Sequence, residues 1–232
     1  MSAGRTARER VREELTREIT DTARRHLATA GAGGLSLRAV SREMGMASSA
    51  IYRYFPSRDD LLTALIIDGY NAVGAAVEEA DAARDRTAYT ARWLAACHAV
   101  RDWALAHPHE YALLHGSPVP GYRAPRDTVP AAVRDTTVFG AIVADAHRAG
   151  ALTPLARAPA PPRSFGADAE NVREFIPDAP DDVIARAITA WTALYGWIGF
   201  ELSGQFENVI ADRTPAFDHH ARCLAGVIGL PG

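Results

Sequence analysis

The stretch Leu35-Ser36-Leu37-Arg38-Ala39-Val40-Ser41-Arg42-Glu43-Met44-Gly45-Met46-Ala47-Ser48-Ser49-Ala50-Ile51-Tyr52-Arg53-Tyr54-Phe55-Pro56-Ser57-Arg58-Asp59-Asp60-Leu61-Leu62 decides the fold of this chain. Ser36 is placed to cap a short helix whose inward residues are Leu37, Val40 and Met44. Gly45 breaks that helix, and a second short one over about Ser48–Tyr54 follows, with Ile51 and Phe55 four apart on one face. Pro56 closes it, and Ser57 with Asp59 and Asp60 opens a longer helix towards Asp81. Upstream, Val11, Leu15, Ile19, Ala23 and Leu27 recur every four residues, and Gly31-Ala32-Gly33-Gly34 ends that first helix. Two short helices joined by a glycine-containing turn and buttressed by a longer one form a helix-turn-helix.

If the second short helix buries Ile51 and Phe55, then Ser48, Ser49, Ala50, Tyr52, Arg53 and Tyr54 stay outside. Small residues at its start permit close approach to base edges, where hydroxyls hydrogen-bond and Ala50 meets a thymine methyl. Tyr52, Tyr54 and Arg58 are suited to phosphate contacts, and Arg53 to either a guanine or the backbone. Spacing alone leaves two readings open, because helix-glycine-helix patterns also occur in all-helical proteins with no nucleic-acid role.

The same stretch, through Tyr54-Phe55-Pro56-Ser57-Arg58-Asp59-Asp60, closely resembles the N-terminal domain of the TetR family of transcriptional regulators, over about Thr16–Leu65. Carried over by position, the resemblance implies DNA contacts from Arg38, Ser48, Ser49, Ala50, Tyr52, Arg53, Tyr54 and Arg58. Two positions depart from the family pattern. Ala47 stands where a Ser or Thr usually caps the recognition helix, which shifts Ser48 or Ser49 towards capping, and Tyr54 stands where His is frequent. Further on, His107-Pro108-His109-Glu110-Tyr111, Gly116-Ser117-Pro118 and Leu194-Tyr195-Gly196-Trp197-Ile198-Gly199-Phe200-Glu201 resemble the subgroup named for a Trp-His-Gly signature, although the middle position here is Ile198.

The rest of the chain reads as helices over about 87–106, 109–114, 130–149, 181–206 and 215–228. Residues 116–125 form a Pro/Gly loop, and 150–180, rich in Pro and Ala, is expected to be a long surface connection, partly mobile. Gly196, Gly199 and Ser203 fall at i, i+3 and i+7, a smooth stripe that lets helices approach closely. The stripe serves either packing inside one chain or a partner subunit; the family resemblance, which implies dimerisation through the last two helices, favours the second. It also implies a small-molecule pocket in the C-terminal domain, with Trp93, Cys97, Tyr111, Phe139, Trp191 and Tyr195 as candidate lining. Each of these side chains is equally explained as plain core filling.

Composition narrows the alternatives. Residues 1–60 hold 11 Arg against 8 acidic residues, and the remainder 14 against 20, so a basic head precedes an acidic body. Arg5, Arg8, Arg10 and Arg12 are interleaved with Glu9, Glu13 and Glu14, which does not read as a signal peptide. The uncharged apolar run Ala187–Phe200 is shorter than the roughly twenty residues a membrane span needs. Cys97 and Cys223 suggest no disulfide framework, so a cytoplasmic protein without membrane contact is expected. His219 and His220 diverge by about 100° on a helix, and no chelating spacing occurs, so neither metal nor cofactor is expected.

The expectation is an all-α homodimer. Residues 1–56 form a three-helix DNA-binding domain, 57–81 a connecting helix, and 82–232 an effector-binding and dimerisation domain. The protein would be a non-enzymatic regulator, a repressor released from a pseudo-palindromic DNA operator by a small apolar effector. The rival readings are a ligand-independent DNA binder with a filled C-terminal core, and an enzyme on a helical scaffold.

Overall fold

The computed structural model describes residues 6–154 and 159–231. Among the described residues every regular element is helical, in the order α1 (Ala7–Gly34), α2 (Leu37–Glu43), α3 (Ser48–Ile51), α4 (Arg58–Ala82), α5 (Tyr89–Ala106), α6 (Pro108–His115), α7 (Val129–Ala132), α8 (Arg134–Arg148), α9 (Phe165–Glu170), α10 (Asp181–Leu202) and α11 (Arg213–Ile228).

The chain divides into two compact units, one from residues 1–70 and 107–129, the other from 71–106 and 130–232. This differs from the sequence expectation in two ways. The crossing falls inside α4, and α6 with the loop after it joins the N-terminal unit. Side chains account for that recruitment. Arg24 of α1 reaches Asp68 of α4 at 2.8 Å and Glu110 of α6 at 3.1 Å, while the hydroxyls of Thr63 and Tyr122 share a 2.9 Å hydrogen bond. Leu113, Val119 and Tyr122 then pack on the core that Ile19, Ala23, Leu27, Leu37, Val40, Ile51, Phe55, Leu61, Leu62 and Leu65 form.

α1 opens with a reciprocal cap, the Glu9 amide donating to the Thr6 hydroxyl (3.2 Å) and the Thr6 amide to the Glu9 carboxylate (2.8 Å). It bends at Gly31, where the backbone leaves helical values. Ser36 occupies the N-cap of α2 but makes no side-chain capping bond, contrary to expectation. At the start of α4 the Ser57 hydroxyl does what was expected of it, accepting from the Asp60 amide at 3.2 Å.

In the second unit α5, α8, α10 and α11 surround Trp93, Val100, Ile142, Ile184, Leu194, Ile198 and Phe217. Two charge clusters lie inside it. Arg101 and Glu201 are both buried and joined by bonds of 2.9 and 2.6 Å, with the guanidinium 5.0 Å from the Phe217 ring. Arg92 donates to Asp81 at 2.7 Å and to Asp145 at 2.8 Å. α4 and α10 are each long and apolar enough to cross a membrane by length and composition. Each buries part of that apolar character inside the units, α4 through Leu61, Leu62 and Leu65 and α10 through Ile184, Leu194 and Ile198.

The described residues of 150–180 do more than connect along the surface. They carry α9 and a series of turns that bury Ala169, Ile176 and Ala179. Arg173 donates to the Ala179 carbonyl at 2.8 Å and to Asp181 at 2.5 Å, closing the turn onto the start of α10. Gly140 of α8 makes the fit possible, since a Cβ there would stand 2.6 Å from the Phe175 carbonyl oxygen. Composition hid this, because the segment's apolar residues follow turns rather than one helical period.

Candidate nucleic-acid interface and effector cavity

The recognition segment is held from below and open above. Gly45 takes φ +65, the left-handed value that lets α2 and α3 cross within a four-residue turn. Ile51 is fully buried and Phe55 nearly so, in the core shared with α1, α2 and α4. α3 is shorter than the expected Ser48–Tyr54. After Ile51 the bonds tighten, with Arg53 donating to Ala50 (3.2 Å) and Tyr54 to Ile51 (2.9 Å), so the last turn is 3₁₀-like. Ala47 offers no side-chain cap, and Ser48 and Ser49 stand exposed at the helix start. Tyr52, 43% exposed, and Arg53 point away from the core, Ala50 is half-buried, and Arg38 is exposed in the first turn of α2.

Two candidate contact residues have other tasks. Arg58, expected at phosphate, instead donates to the carbonyls of Ala32 (2.7 Å), Gly33 (3.3 Å) and Leu35 (3.0 Å), satisfying the open C-terminus of α1. Tyr54 is half-buried against the core, with the Arg12 guanidinium 5.6 Å from its ring centre. Arg12 also donates to the Arg53 carbonyl at 3.3 Å, tying the start of α1 to the end of the recognition segment. Arg8, Arg12, Arg53 and Tyr54 consequently line one cleft. Sequence reading missed Arg8 and Arg12, although their i, i+4 spacing places both on one side of α1.

Within the second unit lies a cavity of about 320 Å³. Thr136, Phe139, Gly140 and Val143 of α8 form one wall; Ala187, Ile188 and Trp191 of α10 form another. Trp93 of α5 and the turn residues Val172, Phe175 and Ile176 complete it. The Trp93 indole is fixed by a 3.1 Å bond to the Ala221 carbonyl and meets Phe139 edge-on, ring centres 5.0 Å apart. Of the expected lining, Trp93, Phe139 and Trp191 are there and three residues are not. Cys97 is wholly buried outside the wall, and burial pushes its thiol well up. Tyr111 belongs to the other unit, buried near His115 with ring centres 4.9 Å apart. Tyr195 donates to Asp135 behind the wall; burial raises that carboxyl above the usual range, and the tyrosine bond opposes the rise. Phe139-Gly140-Val143 and Ala187-Ile188-Trp191 share the i, i+1, i+4 spacing of one helical face, a signal that aromatic residues alone had concealed.

Gly196 and Ser203 are exposed and Gly199 half-buried. A Cβ built on Gly196, Gly199 or Gly226 of α11 would meet nothing within 4 Å, and neighbouring Phe200 is 58% exposed. No neighbour among the described residues therefore requires these glycines.

Comparison with known proteins agrees with this geometry. Residues 19–65 match the family described as bacterial regulatory proteins, tetR family, and residues 93–224 match the tetracyclin repressor-like C-terminal domain. The chain is 39% identical over 224 residues to the HTH-type transcriptional regulator Rv1816 of Mycobacterium tuberculosis, covering 94% of this chain and 93% of that one. The crystal structure of SCO4313, described as a regulatory protein, superposes with a TM-score of 0.77 at 35% identity, covering 95% of this chain and all of that one. A tetR-family regulatory protein from Rhodococcus RHA1 shares the fold at TM-score 0.64 and 18% identity, over 94% of this chain and 99% of its own. The chain belongs to the TetR family of bacterial regulatory proteins. It is, accordingly, a helix-turn-helix transcriptional regulator that binds DNA.

Proposed function

We propose that the protein is a cytoplasmic, homodimeric repressor that reads a pseudo-palindromic operator with α3 and is released by a small apolar effector. The observation that carries the DNA reading is the division of α3 itself. Ile51 is locked in the core while Ser48, Ser49, Tyr52 and Arg53 stand outside it, backed by Arg38 and the Arg8–Arg12 cleft. Ser48, Ser49 and Ala50 approach base edges, and Tyr52, Arg53 and Tyr54 contact phosphate or guanine. Arg58 holds the end of α1 and, still partly exposed, is a phosphate contact of the head.

Two copies would pair through α10 and α11 over Gly196, Gly199 and the exposed Ser203; a Cβ on either glycine would meet nothing within 4 Å among the described residues. The open cavity favours an effector-responsive regulator over a ligand-independent binder with a filled core. A ligand that favours a dimer conformation mismatched to the operator half-sites weakens DNA binding; a tenfold loss needs about 1.4 kcal/mol of coupling. Membership of the Trp-His-Gly-named subgroup is part of this proposal, resting on the Trp197-Ile198-Gly199 string and its neighbours.

The test is an electrophoretic mobility shift on the DNA upstream of the protein's own gene, and on operators selected from random DNA, at one fixed salt concentration. A specific shift that Tyr52→Ala abolishes, the variant remaining folded, is the expected result. Failure to select any operator overturns the reading.

A further inference from the structure

We propose that the cavity of the second unit accepts only uncharged, aromatic-bearing ligands, and that a ligand acid enters it in its protonated form alone. This rests on the effector reading above and specifies its chemistry.

Trp93, Phe139, Phe175 and Trp191 present four aromatic rings, the remaining side chains are aliphatic, and Thr136 supplies a single hydroxyl. Among the described residues, no ionisable side chain lines the cavity. Behind the wall the charges nearest in sequence are engaged. Asp135 accepts from the Tyr195 hydroxyl and from the Thr136 amide (2.7 Å), and Arg173 is held by Asp181, Glu170 and the Ala179 carbonyl. His147 bonds the Asp178 carbonyl at 3.1 Å. An ion seated against this wall would lose hydration on its buried side and meet no counter-charge from the described lining, a cost that groups avoid by neutralising instead. The Arg173 guanidinium is engaged by Asp181, Glu170 and the Ala179 carbonyl, and neither it nor the buried, bonded Asp135 carboxyl is part of the lining.

Size sets the second limit. A cavity of about 320 Å³ equals roughly ten water volumes, and since organic groups pack more densely than water, it holds on the order of fifteen non-hydrogen atoms. Two fused rings with a short polar substituent reach that size. Ring faces and edges on three sides suit a flat π-system, whose contacts with Trp and Phe add to area burial. The Thr136 hydroxyl then gives one hydrogen bond, enough to orient the ligand without demanding a charge.

The rule has a quantitative signature. A carboxylic acid with a pKa near that of Glu, about 4.3, is neutral in only about one molecule in 500 at pH 7. Its apparent affinity should fall by about that factor relative to an uncharged isostere, and recover to within about fifteenfold at pH 5.5.

The experiment measures binding of 2-acetylnaphthalene, 2-naphthoate and 2-naphthylmethylammonium to the full chain by calorimetry at pH 7 and 5.5. The expected result is one ketone per chain with little pH dependence, naphthoate at least hundredfold weaker at pH 7 and recovering at pH 5.5, and no measurable ammonium binding. Because Asp135 itself titrates behind the wall, the series is repeated with Asp135→Asn; persistence of the naphthoate recovery assigns the proton to the ligand. Ala187→Phe on α10 and Val143→Phe on α8, each checked for fold by circular dichroism, should both abolish ketone binding. Thr136→Val should weaken it about two- to tenfold. Naphthoate binding at pH 7 as tightly as the ketone, preferred binding of the ammonium, or no ketone binding below about 1 mM overturns the proposal. Mobility shift with the ketone present separates the two readings. Ketone binding without loss of operator affinity overturns effector release while the ligand rule stands; intact operator binding with no ketone binding overturns the ligand rule alone.

Discussion

Changing Glu201 to Gln tests how the second unit is held together. Arg101 and Glu201 lie on α5 and α10, with exposures of 5% and 6%, and form two bonds of 2.9 and 2.6 Å. Removing one charge leaves the other buried without compensation, which costs about 3–5 kcal/mol; glutamine retains an acceptor, so the lower end applies. At about 2–4 °C per kcal/mol for a chain of this length, the melting temperature should drop by roughly 6–12 °C. Arg101→Met with Glu201→Leu removes both charges, keeps apolar contact with Phe217, and should recover most of that loss. Urea and thermal melts are run at one protein concentration, because association would shift the apparent stability. A loss below about 1 kcal/mol in Glu201→Gln, or a double variant no better than the single one, would refute the view that the cost lies in an orphaned charge.

Arg58→Ala should cost about 1–2 kcal/mol by stripping three carbonyls at the end of α1 of their donors, with a smaller loss of DNA affinity than Tyr52→Ala; melts and mobility shifts compare the two. The Glu78 carboxyl is held below its ordinary value of 4.5 by the Arg134 guanidinium. Its contribution is therefore complete above that value and lost as pH falls through the lowered one, so Glu78→Gln should flatten the acid limb of stability between pH-stepped urea melts. Gly199→Arg, which adds bulk where a Cβ meets nothing within 4 Å, should leave the fold intact and shift the protein to monomer in sedimentation, if α10 is the dimer face.

The reading head was legible because its determinants are local. Gly45, Pro56 and the Ile51/Phe55 pair each act within one turn, and the structure keeps them in those roles. The further task of Arg58 was not legible because its partners, the carbonyls of 32, 33 and 35, lie more than twenty positions away and belong to the backbone, which leaves no mark in a side-chain pattern. The fold of 165–180 depends on Gly140 yielding room to Phe175, a pairing between distant segments. Tyr111 was drawn into the cavity by its aromatic character, while the Arg24–Glu110 bridge assigns its helix to the other unit.

The interleaved parentage of the two units bears on protein engineering. Because the chain leaves the first unit inside α4, after Tyr70, and re-enters it for residues 107–129, no single cut separates the halves. A fragment ending at Tyr70 lacks Leu113, Val119 and Tyr122, and would present uncovered Leu and Phe surface to solvent. Chimeras that graft a new sensing portion onto this head would need three junctions, near 70, 107 and 129, and a donor whose sixth helix is left behind.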